Sequence, residues 1–302
     1  MSSNIEEFDR VLGGGFVKGQ VILLGGNPGI GKSTLLTEVS RQLKDKTVLY
    51  VCGEESPNQI KIRSSRMGYD GNNLDMLPLT DADTIVATIS TMNPKPDLII
   101  IDSVQTLYSP DFSGIAGSVS QIKGCSQIIT NMAKSIDVPV ILVGHVTKDG
   151  TVAGPKLLEH LVDTVLHLEG DSQHLFRLLR TTKNRFGSVS EVGVFEMLEK
   201  GMKEIKNPSD LFLQDTKQDV SGSSITVTME GYRPLLFEIQ ALTVNTSFGY
   251  PKRTTTGFNL NRLQVLLAII EKRANINVSG HDVYLSIAGG FKITEYSADL
   301  AV

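Results

Sequence analysis

Cysteine is scarce in this chain of 302 residues, and tryptophan is absent. The two cysteines, Cys52 and Cys125, can form neither a disulfide framework nor a four-cysteine zinc site within one chain. The five histidines are scattered and do not stand at the spacing of metal ligands. We therefore predict no structural metal.

Long apolar runs are missing as well. The longest, such as residues 138–143 and 265–270, are far shorter than the roughly 20 residues that span a bilayer, so we expect no membrane passage. The N-terminus carries Glu6 and Glu7 where a signal peptide needs a basic segment and then an apolar one. This predicts a cytoplasmic protein.

A surplus of basic charge is the third absence, because the net charge is −4. The composition as a whole therefore does not indicate a nucleic-acid partner. It does not exclude one, since a ring can bind DNA through a few basic loops that line its channel. With 40% hydrophobic and 21% charged residues, the composition is that of a globular protein, and the length suits one large domain with a smaller companion.

Short β-branched runs alternate with amphipathic segments from residue 20 to residue 143, a pattern typical of βαβ units around a parallel sheet. Buried strands are predicted at residues 21–24, 47–51, 98–101 and 138–143, which lack alternating polar positions. Ser56 followed by Pro57 indicates one helix start, and Asp81 indicates another, over residues 81–92. Antiparallel strands that extend the sheet are predicted at residues 160–169, 175–182 and 189–198.

A second unit follows a predicted turn at Asn207-Pro208-Ser209. Its predicted elements are strands at residues 224–229 and 235–244, a helix at 263–272, and the start of an amphipathic helix at 298–302. We therefore expect an α/β domain over residues 1–206, a linker over 207–222, and a partial α+β domain over 223–302.

A phosphate-binding loop is the strongest motif. Gly26-Asn27-Pro28-Gly29-Ile30-Gly31-Lys32-Ser33 fits the pattern G-x-x-x-x-G-K-S, directly after a predicted strand and before a predicted helix. The backbone N–H groups of such a loop and the helix N-terminus attract phosphates, and Lys32 adds a cation. Ser33, with Thr34 behind it, offers a hydroxyl to Mg²⁺. The motif predicts ATP and Mg²⁺ as cofactors.

Acidic residues follow two of the predicted strands. Asp102 ends the run 98–102 and is expected to hold Mg²⁺ at the carboxyl edge of the sheet, the alternative being a cap on the next turn. After the second strand, Glu54 is the candidate that orients and polarises the attacking water. Its neighbour Glu55 would then stabilise the following helix N-terminus, although the two roles could be exchanged.

His145 follows the strand at residues 138–143 and is a candidate contact to the γ-phosphate. A single histidine after a strand is more often a structural residue, which is the alternative.

Together these motifs resemble the bacterial RadA (Sms) family of DNA repair and recombination ATPases, over nearly the whole chain. The segment Thr182-Lys183-Asn184-Arg185-Phe186-Gly187 contains the Lys-Asn-Arg-Phe-Gly block that is particular to that family. Residues 8–19, Gly53-Glu54-Glu55-Ser56 and residues 144–148 are similar as well.

The resemblance implies an α/β fold: a RecA-like P-loop core with a mainly parallel central sheet, followed by a partial α+β Lon-protease-like domain. It implies hexameric rings that are similar to replicative DnaB helicases. These rings would drive branch migration of recombination intermediates on single-stranded DNA. The resemblance also implies a recombinase as a further partner. Lys183 and Arg185 fall where DnaB-type rings place basic fingers that reach the neighbouring subunit's γ-phosphate. Without the resemblance, both would be interpreted as a solvated basic turn.

The chain departs from the family pattern at both ends. Family members open with a four-cysteine zinc finger, which this sequence lacks, and close with a complete Lon-protease-like domain without proteolytic residues. Residues 223–302 resemble only the first part of that domain.

Two glycine-rich segments are candidate DNA loops, at residues 109–123 and 148–156. Lys123, Lys148 and Lys156 are the cations they offer to phosphates, and their glycines permit movement. Without aromatic residues in a stacking ladder, we expect contacts to the DNA backbone, and plain solvated loops are the alternative.

Two functions therefore compete. One is a DNA-dependent motor in which ATP hydrolysis at subunit interfaces moves DNA-binding loops. The other is a KaiC-type assembly switch for protein partners, or a remnant that binds nucleotide without moving DNA.

Overall fold

The computed structural model describes residues 1–144, 155–170, 175–207, 221–247, 249–288 and 292–302. The chain divides into two compact units: residues 1–169 with 177–205, and residues 170–176 with 206–302. Most of the predicted linker, residues 208–220, lies outside the described residues. In the part of the chain that is described, no helix combines the length and apolar character needed to cross a bilayer.

The first unit is built on a mostly parallel sheet. Its strands are β1 (Val21–Gly26), β2 (Val48–Cys52), β3 (Leu74–Leu77), β4 (Leu98–Asp102), β5 (Val140–Val143), β6 (Thr164–Glu169), β7 (Phe176–Asn184), β8 (Val192–Leu198) and β9 (Gly201–Glu204). Within the described ranges these nine strands are ordered β3-β2-β4-β5-β1-β6-β7-β8-β9. The strands from β3 to β6 in this order are parallel, whereas β7 runs antiparallel to β6 and β9 to β8.

Helices cover both faces of this sheet. They are α1 (Glu6–Leu12), α2 (Lys32–Gln42), α3 (Pro57–Arg66), α4 (Ala82–Thr91), α5 (Val119–Ile136) and the short α6 (Pro155–Leu158). One apolar cluster joins the sheet to α1, α2 and α3, and a second joins it to α4, α5 and α6. All the side chains of β1, β2, β4 and β5 are buried, as their continuous apolar runs predicted.

The predicted helix starts are confirmed by their caps. The Ser56 hydroxyl accepts a bond from the Gln59 N–H (3.4 Å), and the Gln59 side chain accepts one from the Ser56 N–H (2.8 Å). The Asp81 carboxylate accepts a bond from the Thr84 N–H (2.7 Å) at the start of α4. Hydrogen bonds from the Thr84 side chain and from its N–H lower the pKa of Asp81.

In the first unit, one strand prediction was wrong for one of its two pairings, and two short strands, β3 and β9, were missed. Residues 160–169 were predicted as an antiparallel strand; β6 begins at Thr164 and is antiparallel to β7 as predicted, but it pairs in parallel with β1. The connection from β5 to β6 is long enough for a parallel crossover. Strands β3 and β9 were missed because each has only four residues and contains charged side chains.

The second unit contains a smaller sheet. Its strands are β10 (Ser223–Glu230), β11 (Arg233–Asn245), β12 (Arg253–Thr256) and β13 (His281–Ile287), ordered β10-β11-β13-β12. The two predicted strands at residues 224–229 and 235–244 are confirmed. The predicted helix starts earlier than expected, as α7 (Leu260–Ile269), because the Asn259 side chain caps it by accepting a bond from Arg262 N–H (3.0 Å). A π-helical turn (Ile270–Ala274) follows.

The predicted amphipathic α-helix at residues 298–302 is instead part of a 3₁₀ helix, Tyr296–Ala301. Ala298 is buried, whereas Leu300 is fully exposed. Ala298 is held by packing and Asp299 by an ion pair with Arg262, and a segment as short as this often takes the 3₁₀ form.

The Lys-Asn-Arg-Phe-Gly block has a structural part. The Asn184 amide donates to the Val11 and Leu12 carbonyls (3.5 and 3.1 Å), and so joins the end of β7 to the end of α1. A Cβ atom at Gly187 would lie 2.8 Å from Gly13 Cα, so the two backbones touch and glycine is required. This contact fixes the segment directly after β7, which contains Arg185 and follows Lys183.

We expect Gly187→Ala to lower the free energy of unfolding by about 2 kcal/mol, because the added methyl group meets backbone rather than a movable side chain. Urea unfolding followed by circular dichroism measures this. Gly249→Ala is the matched control, since a Cβ there has no atom within 4 Å. Equal stability of the two variants would contradict the close contact.

Candidate active site

The candidate site lies at the carboxyl edge of the parallel sheet. Strand β1 ends there in the glycine-rich loop, β2 ends before Gly53 and Glu54, and β4 ends in Asp102. Strand β5 lies between β4 and β1 in the sheet and ends at Val143, directly before Gly144. The edge where these strands end is the usual ligand-binding edge of such sheets.

Close contacts with neighbouring strands require glycine at two positions of the glycine-rich loop. A Cβ at Gly26 would lie 2.7 Å from the Leu168 carbonyl oxygen. At Gly31 it would lie 2.5 Å from Met197 Cε, and the φ angle of 111° there also favours glycine. The loop is thus pressed between β6 on one side and β8 on the other, and it leads directly into α2.

Lys32 folds back over this loop. Its Nζ donates to the carbonyl oxygens of Gly26 (2.9 Å) and Asn27 (3.2 Å), and the side chain is buried. Burial lowers the pKa of Lys32, while the carboxylates of Asp102 and Glu54 act in the opposite direction. The ammonium group therefore lies inside the loop and near both acids.

Asp102 and Ser33 are in direct contact. The Ser33 hydroxyl donates to Asp102 Oδ2 (2.8 Å), and the Asp102 side chain is buried. The same oxygen accepts a second bond from the Tyr50 hydroxyl (2.6 Å). Burial and the neighbouring Asp102 raise the pKa of Tyr50, so the phenol keeps its proton and donates it. Thr34 follows in the first turn of α2 and is half-buried.

Glu54 and Glu55 have different partners. Glu54 is exposed, and its Oε1 accepts a bond from the Ser103 hydroxyl (2.6 Å). Glu55 instead forms an ion pair with Arg63 of α3, and Arg63 also donates from Nε to the Thr37 hydroxyl (3.2 Å). Of this pair, Glu54 acts on Lys32 and favours a higher pKa of the ammonium group. The geometry thus separates the two acids that sequence reasoning left exchangeable.

The backbone fixes Glu54 relative to Asp102. The N–H groups of Gly53 and Glu54 both donate to the Asp102 carbonyl oxygen, at 2.7 and 3.2 Å. A Cβ at Gly53 would lie 2.0 Å from Thr106 Oγ1, so glycine is needed for this approach. The ends of β2 and β4 are therefore joined by main chain as well as by side chains.

Sequence reasoning missed two residues of the site, Tyr50 and Arg177. Tyr50 was interpreted only as part of an apolar strand; its hydroxyl among β-branched neighbours was the available signal. Arg177 is buried on β7, and its Nε donates to the Ile30 carbonyl oxygen (2.9 Å) across 147 residues of sequence. No local pattern indicates such a contact.

Lys183 and Arg185 do not join the site of their own chain. Asn184 of β7 pairs with Thr164, and Thr164 pairs with Ile22 at the start of β1, whereas the glycine-rich loop begins at Gly26. Four strand residues, about 13 Å, separate the level of Asn184 in the sheet from Gly26, where the glycine-rich loop begins. Both cations therefore lie at the amino edge of the sheet.

These cations have partners at that edge. Lys183 Nζ donates to the carbonyl oxygens of Glu159 and Val162, and burial lowers its pKa. Arg185 donates to Asp163 Oδ1 (3.0 Å) with half of its side chain exposed. Asp163 is itself buried; it also accepts from the Val21 N–H (3.0 Å) and lies 3.7 Å from Lys134 Nζ.

The candidate DNA loops are described only in part. His145 and Lys148 lie outside the described residues, and Lys156 falls in α6 but its side chain also lies outside the description. Lys123 is exposed on α5. The loop before α5 is anchored by the Gln121 amide, which donates to the Ser109 and Phe112 carbonyls (3.0 and 2.7 Å).

Beside Lys123 lies a cavity of ≈ 340 Å³. It is lined mainly by side chains of α5, together with Phe112. The Phe112 ring packs over Gly124, where a Cβ would lie 2.3 Å from the ring. An aromatic ring and an exposed cation thus stand side by side near the loop.

A glycine-rich loop between the first strand and α2, on a sheet with an acid at the end of β4, defines a P-loop protein of the RecA-like fold. A solved structure supports the fold: the crystal structure of the RadB recombinase superposes with a TM-score of 0.53 and 21% identity, over 68% of this chain and 99% of that one. A family model described as an AAA domain matches residues 2–151.

Curated relatives cover the whole chain. It is 49% identical to the DNA repair protein RadA of Bacillus subtilis (strain 168), over 100% of this chain and 66% of the relative. It is 50% identical to that of Streptococcus pneumoniae, over 99% of this chain and 71% of the relative. The chain belongs to the RadA family of DNA repair proteins, as the motifs predicted, and it spans about two thirds of the length of these relatives.

Proposed function

We propose that the chain is an ATP-hydrolysing enzyme of DNA repair and recombination that works in the cytoplasm. The observation that carries this proposal is the convergence of Lys32, Ser33, Asp102 and Glu54 at one edge of the sheet. Each of them contacts, or acts electrostatically on, another member of the group. The name of the RadA relatives supports the repair role.

The residues fit a nucleotide with Mg²⁺. Ser33 supplies a hydroxyl and Asp102 a buried carboxylate, which are the oxygen ligands that Mg²⁺ prefers. Bound Mg²⁺ would neutralise charge on the β- and γ-phosphates. The backbone N–H groups of residues 26–33 and Lys32 would hold the phosphates, with Thr34 behind them.

Glu54 is the proposed base that orients and polarises the attacking water. Its carboxylate is exposed, near Lys32, and its position is set by the Ser103 hydroxyl. Glu55 is committed to Arg63 and faces the α2–α3 side. A base must lie within reach of the water it activates, and Glu54 meets this condition better.

Lys183 and Arg185 are proposed to act in trans. Because they lie at the amino edge of the sheet, they cannot reach the phosphates of their own chain without leaving β7. A neighbouring subunit in a ring could receive them at its γ-phosphate, where cations stabilise the developing charge. This argument supports a homo-oligomer, and we propose a hexameric ring.

Single-stranded DNA is the proposed partner, with branch migration of recombination intermediates as the outcome and a recombinase as a further partner. Lys123, beside Phe112 and the ≈ 340 Å³ cavity, offers a cation and an aromatic ring on one surface. Lys148 and Lys156 remain proposed contacts in the following segment, and His145 remains a proposed contact to the γ-phosphate. Phosphate contacts of this kind bind without base selectivity and weaken with salt.

Comparing ATP hydrolysis with and without single-stranded DNA tests the function. We expect DNA to raise the rate severalfold.

Lys32→Ala should abolish binding or turnover, and Asp102→Asn should spare binding more than turnover, since each removes a charge from the phosphate or magnesium surroundings. Lys46→Ala, at an exposed ion pair with Asp97, is the control.

Near-normal hydrolysis by Lys32→Ala would refute the site. A rate that ignores DNA, together with assembly that requires ATP, would favour the assembly switch over the motor.

Glu54→Gln should slow hydrolysis by about a hundredfold or more while ATP still binds, because a positioned base contributes this much to proton transfer. Glu55→Gln is the matched control and should be milder. Single-turnover hydrolysis measures both. If Glu55→Gln is the slower variant, the catalytic role belongs to Glu55.

Arg185→Ala should lower turnover by orders of magnitude with ATP binding retained, and Lys183→Ala should behave alike. Mixing Arg185→Ala chains with Lys32→Ala chains should restore part of the hydrolysis, since some interfaces then have both residues intact. Mixing Lys32→Ala with Glu54→Gln is the control, because no interface regains a complete site. No recovery at concentrations that form rings would return Arg185 and Lys183 to a structural turn or a DNA contact.

A further inference from the structure

Tyr50 is the one aromatic hydroxyl, among the described residues, that bonds to the proposed magnesium site. It lies on β2, where its Cα pairs with Ile100, two residues before Asp102 on β4. Asp102 and Ile100 share one face of their strand, so the long Tyr50 side chain reaches along that face to the carboxylate. The ring belongs to the apolar cluster beneath α2.

The bond has a particular geometry. Asp102 Oδ2 accepts from Tyr50 at 2.6 Å and from Ser33 at 2.8 Å. The Tyr50 distance is that of a hydroxyl bonded to an ionised acceptor, the stronger kind of hydrogen bond. A carboxylate offers about four acceptor positions, and both donors use positions on the same oxygen. The rotation of the carboxylate is therefore restrained from two directions.

The two donors differ in how they are held. Ser33 belongs to the phosphate loop and the start of α2, and its hydroxyl is a proposed magnesium ligand. Tyr50 is 1% exposed and is fixed by packing around its ring. When Ser33 turns toward a metal, the Tyr50 bond is the one that continues to hold Asp102.

We propose that Tyr50 is a positioning residue of the nucleotide site, whose hydroxyl keeps the Asp102 carboxylate in the orientation that receives Mg²⁺ beside Ser33. The proposal rests on the proposed ATPase function. Burial alone explains the ring of Tyr50 but not its hydroxyl, which could be replaced by the hydrogen of phenylalanine at no loss of packing. The specific role therefore belongs to one oxygen atom.

The test measures binding of a fluorescent ATP analogue to the full chain while Mg²⁺ is titrated, and again in excess EDTA. Tyr50→Phe should raise the Mg²⁺ concentration for half-maximal effect about tenfold, the loss expected for a hydrogen bond to a charged group. Affinity in EDTA should stay within about twofold of the parent chain, because Asp102 then has no metal to orient.

Tyr69→Phe is the matched control. Tyr69 is also buried, and its hydroxyl donates to the Asn73 side chain (2.7 Å), away from Asp102. Its Mg²⁺ midpoint should equal that of the parent chain. A second comparison uses Asp102→Asn: if Tyr50 acts through Asp102, adding Tyr50→Phe to that variant should change the midpoint little.

Equal midpoints for Tyr50→Phe and the parent chain would overturn the inference. So would an equal loss of affinity with and without Mg²⁺, which indicates a packing role, or full additivity with Asp102→Asn. A parent chain that binds the analogue with no dependence on Mg²⁺ would instead overturn the proposed magnesium site itself, so the two failures can be told apart.

Discussion

The contacts of Asp102 hold the candidate site together. Its carboxylate accepts bonds from Ser33 at the start of α2 and from Tyr50 on β2, while its carbonyl oxygen accepts from the two N–H groups that follow β2. Three segments distant in sequence thus meet at one residue. Because the carboxylate is buried, losing one donor leaves its oxygen with one hydrogen bond fewer away from water, which is costly. This cost favours the one arrangement in which both Ser33 and Tyr50 donate to Asp102.

Much of the fold follows from local patterns. The apolar runs identify β1, β2, β4 and β5, and the caps at Ser56 and Asp81 identify two helices, because these signals depend on neighbours within a few residues. Strand direction did not follow for β6, since partner choice depends on the crossover and not on the strand's own residues. A strand as short as β3 carries too little periodicity to be recognised.

The candidate site likewise contains some residues that the sequence predicted and others that it did not. The glycine-rich loop and Asp102 were predictable, because phosphate chemistry requires particular residues at fixed spacing. Tyr50 and Arg177 were not, because each acts through a single atom on a segment that folding brings close. The separation of Glu54 from Glu55 likewise depended on Ser103 and Arg63, which lie on other elements.

Asp163, the buried carboxylate that pairs with Arg185, has other contacts besides this arginine. A buried carboxylate that loses its only cation is strongly destabilised, and this would tie the arginine down. Asp163 avoids that situation, since the Val21 N–H and the Lys134 ammonium remain beside it. The Asp163 carboxylate therefore contacts three groups, and if Arg185 moves away two of them remain. In the proposed trans role, Arg185 would contact a neighbouring subunit while Asp163 keeps the Val21 N–H and the Lys134 ammonium beside it.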